Sequence, residues 1–166
     1  MATTAYLTRM PMGIPGAITR LRDLTTEPAL LDTAKVFAQY GLVGKYHGDK
    51  FVPLEDGDSV EHIAGILVRP YPVQSQADMA HLGVKAGITG DILKRGYMTV
   101  TVKGSAESAK KGGKVYVRVA GEQKDSPLGS FVLTPDTTAT NTPELPQAQI
   151  MGPGDTTGTI EIAYNI

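Results

Sequence analysis

Glycine and proline punctuate this chain from end to end, and that spacing confines it to short segments joined by turns. Its 166 residues include 19 glycines and 11 prolines, against the ~12 % combined share of an average protein. Glycine supplies positive φ and proline removes a backbone donor, so neither belongs inside a long helix. Spread evenly, they favour an all-β sandwich or barrel over a bundle.

The segments between these breaks read as strands. Residues 42–46 and 50–54 flank His47-Gly48-Asp49 and predict a hairpin. Residues 63–70, Ile-Ala-Gly-Ile-Leu-Val-Arg-Pro, predict a strand buried on both faces and stopped by Pro70 and Pro72. Residues 97–102 and 114–119 are rich in β-branched and aromatic side chains. Residues 129–133 add a short strand, and residues 159–164 close the chain with strict alternation. Residues 71–90 and 134–146 read as long connections. Residues 27–32 could open a short helix, capped by Thr26 with Pro28 in its first turn. The expected fold is mostly β: a compact barrel or sandwich of about seven or more short strands with at most one or two short helices.

The beginning of the chain differs. Residues 1–26 show no periodicity, and Met10-Pro11-Met12-Gly13-Ile14-Pro15-Gly16 sets apolar side chains among residues that cannot form a helix. Two readings stay open: an arm packed across its own domain, or an extended arm packed on another subunit. The expected organisation is an arm over 1–26 and a single β domain over 27–166.

Several kinds of chemistry find no support. With no cysteine, disulfides, thiol catalysis and thiolate metal sites are excluded. The 16 basic and 17 acidic residues nearly cancel, which argues against binding nucleic acid through its phosphates. No signal peptide is visible, and no apolar run is long enough to span a bilayer, so a soluble protein made in a cytoplasm is expected, with no membrane partner. His47, His62 and His81 lack any metal-ligand spacing. The acidic run Glu55, Asp56, Asp58 and Glu61 fails the calcium-loop pattern because Gly57 falls too early. Lys110-Lys111-Gly112-Gly113-Lys114 is not a phosphate loop, and no serine sits in a nucleophile elbow. No catalytic, cofactor or metal residue is nominated. A hydrolase or metal enzyme built from those histidines with Asp58 or Glu61 is the weakest reading.

Six segments taken together resemble the structural cement, or capsid decoration, proteins of tailed bacteriophages. They are residues 10–20 (MPMGIPGAITR), 27–32 (EPALLD), 65–72 (GILVRPYP), 91–100 (DILKRGYMTV), 113–119 (GKVYVRV) and 161–166 (EIAYNI). The resemblance runs nearly the whole chain in order, and its specificity lies in the sum of the segments. It implies a non-enzymatic protein on the outer surface of the virion capsid, bridging major capsid protein subunits. It also implies self-association, as a homotrimer or alternatively a dimer. The arm residues Met10, Pro11, Met12, Gly13, Ile14, Pro15, Ile18 and Arg20 are the expected contacts with capsid or sister subunits. The alternative function is a virion-displayed β module that binds carbohydrate or a host surface. It is weakened by the absence of tryptophan and a 6% aromatic content, since sugar platforms favour exposed aromatics.

Overall fold

The computed structural model describes residues 13–70 and 84–166. They form nine strands in one mixed sheet: β1 (Ile18–Leu31), β2 (Val43–His47), β3 (Lys50–Pro53), β4 (Gly65–Leu67), β5 (Thr89–Thr101), β6 (Lys114–Val117), β7 (Phe131–Val132), β8 (Glu144–Ile150) and β9 (Thr159–Tyr164). Two single 3-10 turns, Val60–His62 and Ala139–Asn141, are the only helical elements among the described residues.

The strand order is β1-β3-β2-β4-β5-β9-β8-β6-β7, and β1 also pairs with β5. That extra pairing closes the first five strands into a ring. On the other side, a parallel bridge from Val102, just past β5, to Phe131 in β7 ties the far end back. The sheet thus makes two closed circuits that share β5, leaving few free edges.

Each circuit holds a core. The smaller contains Leu31, Phe37, Leu42, Phe51, Leu67 and Ile92, with the Phe37 and Phe51 rings stacked 5.2 Å apart. The larger contains Ile66, Leu93, Met98, Val100, Phe131, Leu145, Ile160 and Ile162. Strands β4 and β5 form the wall between them. Ile66 and Leu93 face the large core while Leu67 and Ile92 face the small one, and all four are fully buried. This is the strand expected to be buried on both faces, narrowed to Gly65–Leu67.

Leu93 and Met98 both point into the large core although their spacing is odd, so the alternation must flip once between them. Gly96, at φ +140°, takes up that flip. Opposite it, β1 bulges: Arg20 pairs with Tyr97 and Thr25 with Arg95, leaving residues 21–24 against Gly96 alone.

Three local expectations are corrected. Residues 27–32 form no helix; Glu27 to Leu30 pair in register with Ile92 to Thr89, and tertiary pairing overrides the weak local propensity. Residues 134–146 are not loop throughout, because β8 begins at Glu144. Pro146 is tolerated there because the β6–β8 register shifts across it and β8 meets β9 only from Ala148 onward. The connection expected over 71–90 ends earlier, with Thr89 and Gly90 already in β5. Strand β1 also runs across residue 26, so the sheet has no break at the expected arm boundary.

Candidate functional site, the root of the N-terminal arm

The expected contact residues are split by the structure. Met10, Pro11 and Met12 lie outside the described residues, as does His81. Ile14, Pro15, Gly16 and Ala17 form a tight turn in which the Ala17 amide donates to the Ile14 carbonyl at 2.9 Å. Proline in the second position and Gly16 at φ +85° in the third are the chemistry of a type II turn. Gly13 and Ile14 are exposed, Ile14 at 59%.

From Gly16 onward the segment is stitched into its own sheet. The Gly16 amide donates to the Thr99 carbonyl at 2.7 Å, and the Thr99 amide donates to Ala17 at 2.9 Å. The Arg69 amide donates to the Gly16 carbonyl at 2.8 Å, and Arg69 Nε donates to the Pro15 carbonyl at 2.9 Å. The same guanidinium lies 4.8 Å from the Tyr40 ring centre. Gly16 and Gly41 touch backbone to backbone: a Cβ on Gly16 would come within 2.6 Å of Tyr40 Cβ and 3.0 Å of the Gly41 nitrogen. This joint requires glycine on both counts, space and positive φ.

Ile18 packs half-buried on the large core. Arg20 is committed to its own sheet. Its Nε and Nη2 donate to the two Glu161 carboxylate oxygens at 2.9 and 2.7 Å, and Thr19 Oγ1 donates to the same carboxylate at 2.6 Å. The guanidinium also lies 4.4 Å from the Tyr97 ring centre. Burial pushes the Glu161 carboxyl upward. The Arg20 and Thr19 hydrogen bonds and the Arg20 charge outweigh this, so it titrates below its ordinary value. Ile18 and Arg20 therefore fasten the segment to the sheet, while Gly13 and Ile14 before the turn are exposed.

One neighbouring feature escaped the sequence reading. The bulge at residues 21–24 lifts Leu21 and Arg22 out of the sheet, with Leu21 79% exposed and the Arg22 side chain 94% exposed. Asp23 adopts φ +62°, and Leu24 folds back onto the large core beside Gly96. The only trace in sequence is an aspartate, one of the few residues that tolerate such a φ.

Three residues of the acidic run, Glu55, Asp56 and Asp58, are tied into the scaffold. Lys45 binds Asp58 at 2.7 Å and Glu55 at 3.2 Å, and Lys35 binds Glu55 at 2.6 Å, so lysines counter the acidic run. These lysine hydrogen bonds hold Glu55 below its ordinary value. Asp56 accepts from the Gly121 amide and ties two loops. His62 is exposed, 3.9 Å from Asp58, and His47 ends β2 at the surface. Among the described residues no three His, Asp or Glu side chains gather as a metal site, and no helix is long and apolar enough to cross a membrane. Tyr46 is the one large aromatic exposed among them, and Lys94 lies over its ring at 5.0 Å.

The guanidinium of Arg118, 3% exposed, organises the far rim. It donates to Ser126 at 2.9 Å, to the Gly121 carbonyl at 3.0 Å and to Asp136 at 3.1 Å. Its hydrogen bond holds Asp136 below the ordinary carboxylate value.

Comparison with known proteins points to a structural component of a phage capsid. Among curated proteins none matches the chain. A chain of the solved capsid of Myoviridae phage XM1 shares its fold, with a TM-score of 0.70 at 16% identity over 99% of this chain and 97% of that one. The model of the XM1 gp53 minor capsid protein family, a family of virion structural components and not of enzymes, matches residues 3–164. A match of that extent means that this chain belongs to the XM1 gp53 minor capsid protein family.

Proposed function

We propose that this minor capsid protein is a cement protein: it binds the outer face of the phage head and bridges major capsid protein subunits. The observation that carries this reading is the arm root. A segment leaves the sheet from a rigid two-glycine joint with an apolar side chain, Ile14, held in water at its outlet. A rigid exit limits the directions a tether can take and lowers the entropy lost when it docks. Contact with the lattice is assigned to Met10, Pro11, Met12, Gly13, Ile14 and Pro15, with Ile18 and Arg20 anchoring them. Self-association as a trimer would multiply each modest contact through avidity on a repeating lattice.

The test is removal of residues 1–12 alone, which spares the whole joint. The truncated chain should melt like the full chain yet occupy emptied heads at lower density. Equal occupancy would remove the arm from the mechanism. Failure of the full chain to bind heads from outside would remove the cementing role itself.

A further inference from the structure

The bulge beside the arm offers a second contact surface of a different kind. An exposed leucine on its own needs no explanation. Leu21, however, stands at the tip of a protrusion fixed on both flanks, by Arg20 on Glu161 and Tyr97 and by Leu24 on the large core. Neither a leucine in water nor an aspartate at φ +62° lowers the energy of this fold, and backbone of this sort persists where a site uses it.

The geometry also selects the kind of partner. Among the described residues, the side of β1 away from β5 is unpaired until Leu30 meets β3. An added strand would need a continuous ladder there. The bulge interrupts it, and Pro28 withholds a donor on that side. The Leu31 amide donates inward to Ile88 at 2.8 Å, so alternation along the strand turns the Pro28 nitrogen outward. This edge is closed to strand addition, and a partner must read side chains instead. Those side chains are apolar at the tip and cationic around it. Among the described residues Arg22 meets only the adjacent Asp23 carboxylate, at 3.9 Å, and exposed Arg95 sits at the base of the bulge opposite Thr25.

We propose that Leu21 plugs an apolar socket on a capsid lattice protein whose rim is acidic where it meets Arg22 and Arg95. This rests on the capsid-binding reading above and names a contact separate from the arm. Full-length wild type, Leu21→Ala, Leu21→Asp and Arg22→Glu are titrated onto heads stripped of this protein, with copies per head, melting temperature and free oligomer size recorded. Leu21→Ala should weaken binding about tenfold and Leu21→Asp more, because a central apolar anchor dominates such contacts. Arg22→Glu should weaken binding and flatten its salt dependence. All variants should melt as wild type does. Wild-type binding by both Leu21 variants would overturn the socket while leaving the cementing role standing. So would a change in free oligomer size with head binding intact, since the bulge would then meet a sister copy. Loss of binding by wild type itself would overturn both.

Discussion

The Arg20–Glu161 pair should respond unequally to removal of its two halves, because the partners sit in different solvent. The Arg20 side chain is 45% exposed and Glu161 only 14%. In Glu161→Ala the guanidinium swings into water and keeps its hydration, so the cost is that of a partly exposed ion pair, about 1 kcal/mol or less. In Arg20→Ala the carboxylate stays mostly buried without its two strongest donors, and the contact with Tyr97 is lost as well. That costs about 3 kcal/mol, or about 6–12 °C in melting temperature for a domain of this size. Acid changes the two states in opposite directions. In wild type, Glu161 lies below its ordinary 4.5, so its stabilisation is complete above that value and fades as pH falls through the lowered one. In Arg20→Ala only the Thr19 hydrogen bond is left to oppose burial, the carboxyl moves upward, and protonation relieves the penalty. The gap between the proteins should therefore narrow from about pH 7 to about pH 4. Arg20→Ala with Glu161→Gln should recover most of the single loss, about 2 kcal/mol, because no charge is left buried. Urea titrations of the four proteins at both pH values measure this. Equal costs for the two single variants, or a gap independent of pH, would refute the account.

Two further expectations concern the joint and the rim. Gly16→Ala forces an L side chain to φ +85° against Tyr40 and Gly41, at a cost of about 2–4 kcal/mol. Hydrogen exchange should show residues 16–20 and Thr99 unprotected, with β8 and β9 unchanged. Arg118→Met leaves Asp136, the Ser126 hydroxyl and the Gly121 carbonyl without their shared donor and loosens the loops it joins. Limited proteolysis should then cut within 120–126 or 134–138 well below the melting temperature.

Much of the scaffold was legible because short-range chemistry dictates it. The hairpin at Gly48, the double-faced strand at Ile66 and Leu67, and the alternating end at Thr159–Tyr164 each carry a local signal that the sheet obeys. What stayed hidden depends on partners distant in sequence. Residues 18–31 have no alternation because both faces of β1 lie largely in solvent as far as Pro28 and the bulge breaks the period. Glu144–Ile150 was obscured by Pro146, which only a register shift can accommodate. The arm showed its apolar residues plainly. The anchoring of Gly16 and Arg20 rests on Glu161, Tyr97 and Thr99, which no local pattern connects to them.

Strand β1 enters the sheet from the arm and runs antiparallel to β5 over most of its length. Tension on the arm directed along that axis loads the β1–β5 hydrogen bonds sideways and nearly all at once. It does not open them singly from one end. Because β5 is also bonded to β4 and β9, the load passes into both circuits without crossing a hinge. Pulled from its N-terminus, the molecule should yield late and abruptly, as a rivet does and a zip does not.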